Sequence, residues 1–161
     1  MNDIDRRLLE RAIEVAAAAR EGGNHPFGAV LGAADGQILL EAGNSVVTER
    51  DVTGHAELNL VRAASHHFEP EILAGCTLFS SCEPCAMCAG GIYWSGIGRV
   101  VYALSERDLY LLTGDDPENP TMKLGTRAVL DAGQRRIAVE GPVDIPAASA
   151  VHEGFWQPDT R

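Results

Sequence analysis

Two short stretches of this sequence, His55-Ala56-Glu57 and Pro84-Cys85-Ala86-Met87-Cys88, determine how the rest of it is interpreted. They supply three candidate metal ligands, His55, Cys85 and Cys88, and one candidate proton carrier, Glu57. A catalytic zinc ion usually takes three protein ligands and leaves its fourth position to water, whereas a structural zinc ion is usually closed by four. A carboxylate beside such a site can carry protons between the activated water and a leaving group. The two stretches therefore predict a zinc-dependent hydrolytic site.

The spacing within each stretch also predicts how the chain folds around the metal. Cys85 and Cys88 are three residues apart at the start of a predicted helix, so both thiols can reach one ion, and the helix N-terminus favours the thiolate form. His55 and Glu57 are two residues apart, which on a helix separates their directions by about 200°. Both can serve one ion only if it lies beyond the helix end, and Gly54 permits a helix start there. We therefore expect two helix N-termini to converge on the zinc ion.

Cys82 leaves a second interpretation open. Together with His55, Cys85 and Cys88 it would complete a closed structural zinc site, and the three cysteines could instead hold an iron–sulfur cluster. Pro84 marks the start of the predicted helix, so Cys82 lies a turn earlier, in the loop between strand and helix. We therefore expect Cys82 to line or support the pocket.

Hydrophobic periodicity predicts that helices and strands alternate along the chain. The predicted helices cover residues 5–20, 54–65, 84–94, 105–112 and 125–132. The predicted strands cover residues 27–34, 37–41, 77–81, 99–104 and 136–140. Asp35-Gly36 between the first two strands is typical of a tight hairpin turn in which both central residues have positive φ. Alternating strands and helices imply parallel crossovers, so with the opening hairpin we expect a mixed sheet in an α/β fold.

Composition indicates a single soluble domain. The 161 residues are 45% hydrophobic and 22% charged, which suits one domain spanning residues 1–161. No stretch has the features of a signal peptide or a membrane span, so we expect a cytoplasmic protein. Cys82, Cys85 and Cys88 lie too close together for a disulfide framework and suit a metal better, while Cys76 is expected to be a buried thiol.

The net charge bears on the kind of partner. The formal charge is −10 and the sequence pI is about 4.8. Nucleic-acid-binding proteins use a basic face to neutralise phosphates. The densest basic group here, Lys123, Arg127, Arg135 and Arg136, is expected to be a solvated face. The charge therefore makes nucleic acid an unlikely partner and favours a small neutral substrate.

Longer segments around the metal-binding stretches resemble the zinc-dependent cytidine deaminase superfamily, whose signature combines His-x-Glu with Pro-Cys-x-x-Cys. The resemblance runs from about residue 5 to residue 104 and is closest to the branch that contains bacterial guanine deaminases and tRNA adenosine deaminases. The segments that carry it are Asn24-His25-Pro26-Phe27-Gly28-Ala29-Val30, Gly54-His55-Ala56-Glu57-Leu58, residues 81–94 and residues 97–102.

The resemblance implies a three-layer α/β/α sandwich around a five-stranded mixed sheet, assembled as a homodimer. It implies that His55, Cys85 and Cys88 bind one Zn²⁺ per subunit and that Glu57 is the proton shuttle. Water would attack the ring carbon that bears the amino group, and ammonia would leave. The resemblance also assigns substrate contacts to Asn44 and to the backbone around Ala56, Ser81, Cys82 and Glu83.

The choice of substrate rests on fewer residues. Phe27 and the pair Tyr93-Trp94 are similar to guanine deaminases, and Phe27 and Trp94 are candidates for stacking on a planar ring. Residues 105–161 depart from guanine deaminases, so guanine leads, with cytosine-like and s-triazine rings close behind. The alternatives are adenosine-to-inosine editing of tRNA and a non-catalytic, zinc-stabilised binding module, against which Glu57 argues because a structural site needs no extra carboxylate.

The C-terminal tail, residues 143–161, is a candidate lid. It carries Glu153, Phe155 and Trp156 in a region that would otherwise be expected to fray. In guanine deaminases the C-terminus covers an active site, often that of the partner, so we expect these three residues to contact substrate. His25, in contrast, is expected to be a loop histidine with a structural role.

Overall fold

The computed structural model describes residues 1–156, and a five-stranded mixed sheet forms its centre. Its strands are β1 (Gly28–Gly32), β2 (Ile38–Gly43), β3 (Thr77–Cys82), β4 (Arg99–Leu104) and β5 (Ala138–Glu140). Their order across the sheet is β2-β1-β3-β4-β5. Strand β1 runs antiparallel to β2 and β3, whereas β3, β4 and β5 run parallel to one another. The mixed sheet that the sequence predicts is confirmed.

Helices cover both faces of this sheet. They are α1 (Asp3–Glu21), α2 (Val46–Glu49), α3 (Ala56–His67), α4 (Pro70–Leu73), α5 (Ala86–Ser95), α6 (Glu106–Thr113), α7 (Thr126–Asp131) and α8 (Pro146–Ala150). Helices α1 and α8 pack on one face, and α3 and α5 pack on the other. Helices α2, α4 and α8 escape the sequence prediction because each has only four or five residues, too few to show a helical period. Among the described helices, none combines the length and apolar character that a membrane crossing requires.

The strands bury alternate residues in two separate cores, as the two-residue period of a strand requires. Val30, Phe79 and Val101 join the core under α1, while Leu31, Leu78 and Val100 join the core under α3 and α5. Gly28 lets α1 lie directly against β1, because a Cβ atom at this position would overlap the backbone of α1. The N-cap of α1 is Asn2, which forms a capping box with Asp5.

The turn between β1 and β2 differs from the expected two-residue hairpin. Residues 33–37 connect the strands, and only Gly36 has positive φ, at 86°. Asp35 keeps a negative φ and accepts a hydrogen bond from the backbone N–H of Gln37 at 2.9 Å through Oδ1. The register shifts at Leu31 and Gly32, so the strands separate before the dipeptide and the longer loop needs only one left-handed residue.

The described part of the tail packs against the domain. His152 and Trp156 are buried, and Trp156 Nε1 donates a hydrogen bond to His152 Nδ1 at 3.0 Å. The His152 ring lies 5.3 Å from the ring of Phe27, and the Trp156 ring lies 5.4 Å from that of His25. These contacts between aromatic rings hold the described part of the tail against the domain. Residues 157–161 of the predicted tail lie outside the described residues.

Candidate active site

Two helix starts bring the candidate metal ligands together. His55 is the N-cap of α3, and Cys85 is the N-cap of α5, with Cys88 in the first turn. Pro84 therefore precedes the cap and does not itself begin the helix as the sequence suggested. His55 Nδ1 lies 3.6 Å from Cys85 Sγ and 3.6 Å from Cys88 Sγ. The predicted convergence of two helix N-termini is confirmed, and we call His55, Cys85, Cys88 and Glu57 the metal cradle.

The three ligand atoms fit a zinc ion. They lie within 4.8 Å of one another. Tetrahedral Zn–N and Zn–S bonds of ordinary length would separate nitrogen from sulfur by roughly 3.6 Å, which is the spacing found here. Within the described residues, the ligand group contains no fourth side chain, and Cys82 is not a member of it. A set of three ligands leaves a position for water, so the geometry favours a catalytic site over a closed structural one.

The charge state of the cysteines suits metal binding. The pKa of the Cys85 thiol is lowered to about 4, chiefly because it accepts a hydrogen bond from Cys88. The same hydrogen bond, together with burial, raises the pKa of Cys88, so the two sulfurs share one proton while no cation is bound. Burial raises the pKa of the Cys82 thiol well above its usual value. Cys82 is therefore a neutral wall residue, as expected.

Glu57 lies beside the ligands with an almost fully buried carboxylate. It is 5% exposed, and its Oε1 accepts a hydrogen bond from Ser80 Oγ at 2.8 Å. Cys88 Sγ lies 3.5 Å from Oε2. Burial raises the pKa of Glu57, and the negative charge of Cys85 adds to this effect. A carboxyl group with a raised pKa can both accept and return a proton near neutral pH.

A cavity of about 570 Å³ opens above the metal cradle, within the range of ~300–1,000 Å³ typical of small-molecule sites. Phe27, Asn44 and Cys82 line it, as the sequence predicts. Asn44 is 4% exposed, and its Oδ1 accepts a hydrogen bond from the backbone N–H of Val46 at 3.1 Å. Apolar walls with a few fixed polar groups can hold a flat heterocycle and set its orientation.

Other predicted contact residues occupy different places. Ala56 is fully buried and is not part of the cavity wall, and Ser81 Oγ accepts a hydrogen bond from the backbone N–H of Gly28 at 3.1 Å. Trp94 is 84% exposed on the outside of α5, away from the cavity. A stacking role for Trp94 within the same subunit has no support from this position.

The tail residues also lie outside the cavity wall of their own subunit. Glu153 is exposed, while Phe155 and Trp156 contact the ring of His25 from behind, at centroid distances of 6.0 Å and 5.4 Å. Within one subunit the described tail therefore supports two wall residues, His25 and Phe27, instead of covering the opening. The role of Glu153, Phe155 and Trp156 in substrate binding stays a prediction.

Sequence reasoning missed the residues that close the cavity on its outer side. The cavity rim, as we call it, consists of Glu106, Leu109, Pro117, Glu118, Asn119, Pro120 and Met122. Glu118 Oε2 lies 3.0 Å from His25 Nε2, so His25 ties the rim to the strand entrance. Asn119 Nδ2 is buried, and no described residue forms a hydrogen bond with it. Burial, followed by the negative charges of Cys85 and Glu83, raises the pKa of Glu106 to about 7.

Glu83 joins the metal cradle to the rim. Its Oε2 accepts a hydrogen bond from the backbone N–H of Glu106 at 3.0 Å, and its Oε1 accepts one from the backbone N–H of Thr126 at 3.1 Å. Thr126 Oγ1 in turn donates to the carbonyl oxygen of Pro84. The turn that holds Cys85 is thus fixed to the starts of α6 and α7. Glu83 lines the cavity, but both its oxygens are occupied by the fold.

A usable signal for Glu106 was present in the strand order. Strands β3 and β4 run parallel, and Cys82 pairs with Leu104, so their carboxyl ends meet at one edge. Ligand sites in open α/β sheets form at such edges. The parallel pairing of β3 and β4 therefore brings the residues just after β4 close to Cys85.

Comparison with known proteins agrees with this geometry. Residues 2–104 match the family described as the cytidine and deoxycytidylate deaminase zinc-binding region. A probable cytosine deaminase of Schizosaccharomyces pombe is 38% identical over 156 residues, which cover 97% of this chain and 94% of the relative. A tRNA-specific adenosine deaminase of Agrobacterium fabrum is 34% identical over 120 residues, 74% of this chain and 72% of the relative.

A solved structure extends the comparison to the fold. The guanine deaminase from Nitrosomonas europaea superposes with a TM-score of 0.74 at 26% identity, over 90% of this chain and 80% of that one. The expected sandwich of helices around a five-stranded mixed sheet is confirmed. The matched family and the three-ligand cluster together support one Zn²⁺. This chain belongs to the cytidine and deoxycytidylate deaminase zinc-binding family.

Proposed function

We propose that this protein is a zinc-dependent hydrolytic deaminase that acts on a small free aminated heterocycle and releases ammonia. The observation that carries the proposal is the buried carboxylate of Glu57 beside a cluster of three, not four, metal ligands. A structural zinc site needs neither an open position nor a proton carrier. The cavity above Glu57 adds a place for a ring.

The residues divide the reaction between them. A zinc ion bound by His55, Cys85 and Cys88 supplies the Lewis acidity that makes water a nucleophile near neutral pH. Glu57 would carry the two protons of the water in turn: the first goes to a ring nitrogen as the water oxygen bonds to the ring carbon, and the second goes from the new hydroxyl group to the amino group as the C–N bond breaks. Water and the C–NH₂ group of the ring thereby become a C=O group and ammonia. Ser80 keeps Glu57 in place through its hydrogen bond.

Two kinds of ring lead the proposal for the substrate. Guanine leads in the sequence-based prediction because of Phe27, which lines the cavity. The relative that is similar over 97% of the chain, including the rim, is named a probable cytosine deaminase, which supports a cytosine-like ring equally. The s-triazine rings follow.

The homodimer, the cytoplasmic location and the single domain of residues 1–161 stay predictions, of which light scattering in solution measures the first.

Ammonia release from a panel of rings tests the proposal. Zinc-loaded protein is incubated with guanine, cytosine, isocytosine, adenine, aminotriazines and the matching nucleosides. For the best substrate, Glu57→Gln is expected to lower kcat by about 10²–10⁴-fold, because proton transfer is lost, while metal analysis shows unchanged zinc. Glu71→Gln, an exposed carboxylate on α4, is the matched control. Full activity of Glu57→Gln, or no ammonia from any ring, contradicts the proposal.

The second candidate, editing of adenosine in tRNA, has one observation in its favour, the similarity to a tRNA-specific adenosine deaminase. The net charge of −10 argues against it. A gel shift with tRNA at two salt concentrations separates the candidates. Salt-sensitive binding together with inosine formation would favour editing, whereas ammonia from a free base without a shift would exclude it.

A further inference from the structure

The carboxylates that line the cavity differ in what their oxygens contact. Glu57 accepts a hydrogen bond from Ser80, Glu118 pairs with His25, and Glu83 accepts two backbone N–H groups. Glu106 lines the same cavity, yet no described residue donates a hydrogen bond to its carboxylate and no described Lys or Arg forms an ion pair with it. Glu106 is therefore the acceptor on this wall that the fold leaves unused.

An unpartnered carboxylate at Glu106 lowers the free energy of unfolding. The side chain of Glu106 is half-buried, and the negative charges of Cys85, Glu83 and Glu57 act on its carboxylate, while the charge of His55 opposes them. A carboxylate removed from water without a donor or a counter-ion destabilises the folded state. Glutamine at this position would fill the same volume without the charge. A binding partner that enters the cavity and donates to Glu106 offsets the cost.

We propose that Glu106 is a specificity-determining residue whose carboxylate accepts a hydrogen bond from a ring N–H of the substrate. This inference rests on the proposed function and names its substrate class more closely. A free base carries N–H at the ring nitrogen where a nucleoside carries its sugar. The preferred class is therefore aminated rings with an unsubstituted N–H that faces Glu106. Rings with a methyl group or a sugar at that nitrogen are disfavoured.

The first experiment removes the negative charge of Glu106 and keeps the shape of its side chain. At pH 8, above the pKa of about 7 of the Glu106 carboxyl group, Glu106→Gln is expected to lower kcat/KM for the best free ring by about 10- to 100-fold, because a hydrogen bond to a charged acceptor is replaced by a neutral one. Zinc content should not change, and Tm of the ligand-free protein should rise by about 2–4 °C as the unpaired charge is removed. A residue that merely holds the fold together would instead lower Tm. Glu71→Gln again serves as the control.

The second experiment identifies the contact from the side of the substrate. Each ring N–H of the best substrate is methylated in turn, and kcat/KM is measured with wild type and Glu106→Gln. For one methyl isomer the two proteins are expected to agree within about twofold, because neither can form the bond. For the other isomers the 10- to 100-fold difference should persist. Equal rates on the unmethylated ring, or the same difference for every isomer, overturn the role of Glu106.

A binding measurement separates this inference from the proposed function. Calorimetry with guanine and cytosine, each added to zinc-loaded wild type and to Glu106→Gln, needs no turnover. If wild type releases no ammonia but binds a ring more tightly than Glu106→Gln, the proposed function fails and the inference on Glu106 stands. If ammonia is released at equal rates by both proteins, only the inference fails. If neither binding nor turnover occurs with any ring, both fail.

Discussion

The metal cradle and the cavity rim face each other across one cavity, but they are built differently. In the cradle every reactive group touches another one, since His55 contacts both cysteines and Glu57 contacts Ser80 and Cys88. In the rim, Glu106 and Asn119 present an acceptor and a donor that the described fold leaves unpartnered. The matched family region ends at residue 104, before the rim begins. This difference is the reason for the proposal that the cradle performs the chemistry and the rim selects the ring.

The largest expected effect comes from breaking the cradle. Cys85→Ser removes a thiolate ligand, so zinc content should fall and kcat should drop by more than about 10³-fold. Metal analysis and ammonia release measure the two quantities on the same sample. Cys76→Ser is the matched control, because Cys76 is a buried thiol outside the ligand group. Zinc retained at full occupancy in Cys85→Ser would contradict the ligand assignment.

A smaller effect is expected from His152, which lies behind the rings of His25 and Phe27. Burial lowers the pKa of His152 to about 4, below the ordinary histidine value of 6.5. Between these two values the unfolded chain binds a proton that the folded protein does not, so stability falls as the pH is lowered from about 6.5 towards 4. The contribution of His152 to the loss between pH 7 and pH 5 is about 2 kcal/mol.

Urea unfolding at pH 7 and at pH 5 measures this loss in wild type and in His152→Gln. The variant should lose about 2 kcal/mol less than wild type over this range. The pH dependence of metal binding is common to both proteins and cancels in the difference. His66→Gln, which removes an exposed histidine, is the control. Equal losses in wild type and His152→Gln would show that His152 is not buried as a neutral ring.

The smallest effect is expected from Asn119, the hydrogen-bond donor of the cavity rim. Asn119→Ala removes the buried amide that lines the cavity, and KM for the best ring should rise by about threefold to tenfold with zinc content unchanged. Thr121→Val is a matched control, because Thr121 Oγ1 is also buried without a partner but does not line the cavity. Parallel changes in both variants would attribute the effect to the loop as a whole, against a contact of Asn119 with substrate.

The sequence and the structure agree best where the signal is local. The spacing of Cys85 and Cys88 and the position of Gly54 were enough to predict two converging helix starts, because ligand geometry depends on residues close in the chain. The period of the strands likewise predicted the mixed sheet. Phe27 and Asn44 were predicted from the family resemblance and Cys82 from its place just before Pro84, and all three lie on the cavity wall.

The sequence did not reveal the positions of residues that depend on packing between distant segments. Trp94 has a side chain that could stack on a ring. Its place on the outer side of α5 depends on which face α5 packs against α3. The predicted contact of Trp156 with substrate stays a prediction, and within its own subunit Trp156 packs on His25 and His152. Residues 117–122 gave no periodic signal, and only the parallel pairing of β3 and β4 brings the rim to the cradle.

Glu83 allows the cavity rim to change in sequence during evolution without altering the metal cradle. It reaches α6 and α7 through the backbone N–H groups of residues 106 and 126, and every residue except proline supplies such a group. The side chain at position 106 can therefore change without loosening the turn that carries Cys85. New ring preferences are then open to single substitutions in the rim, while the metal site inherits its geometry intact.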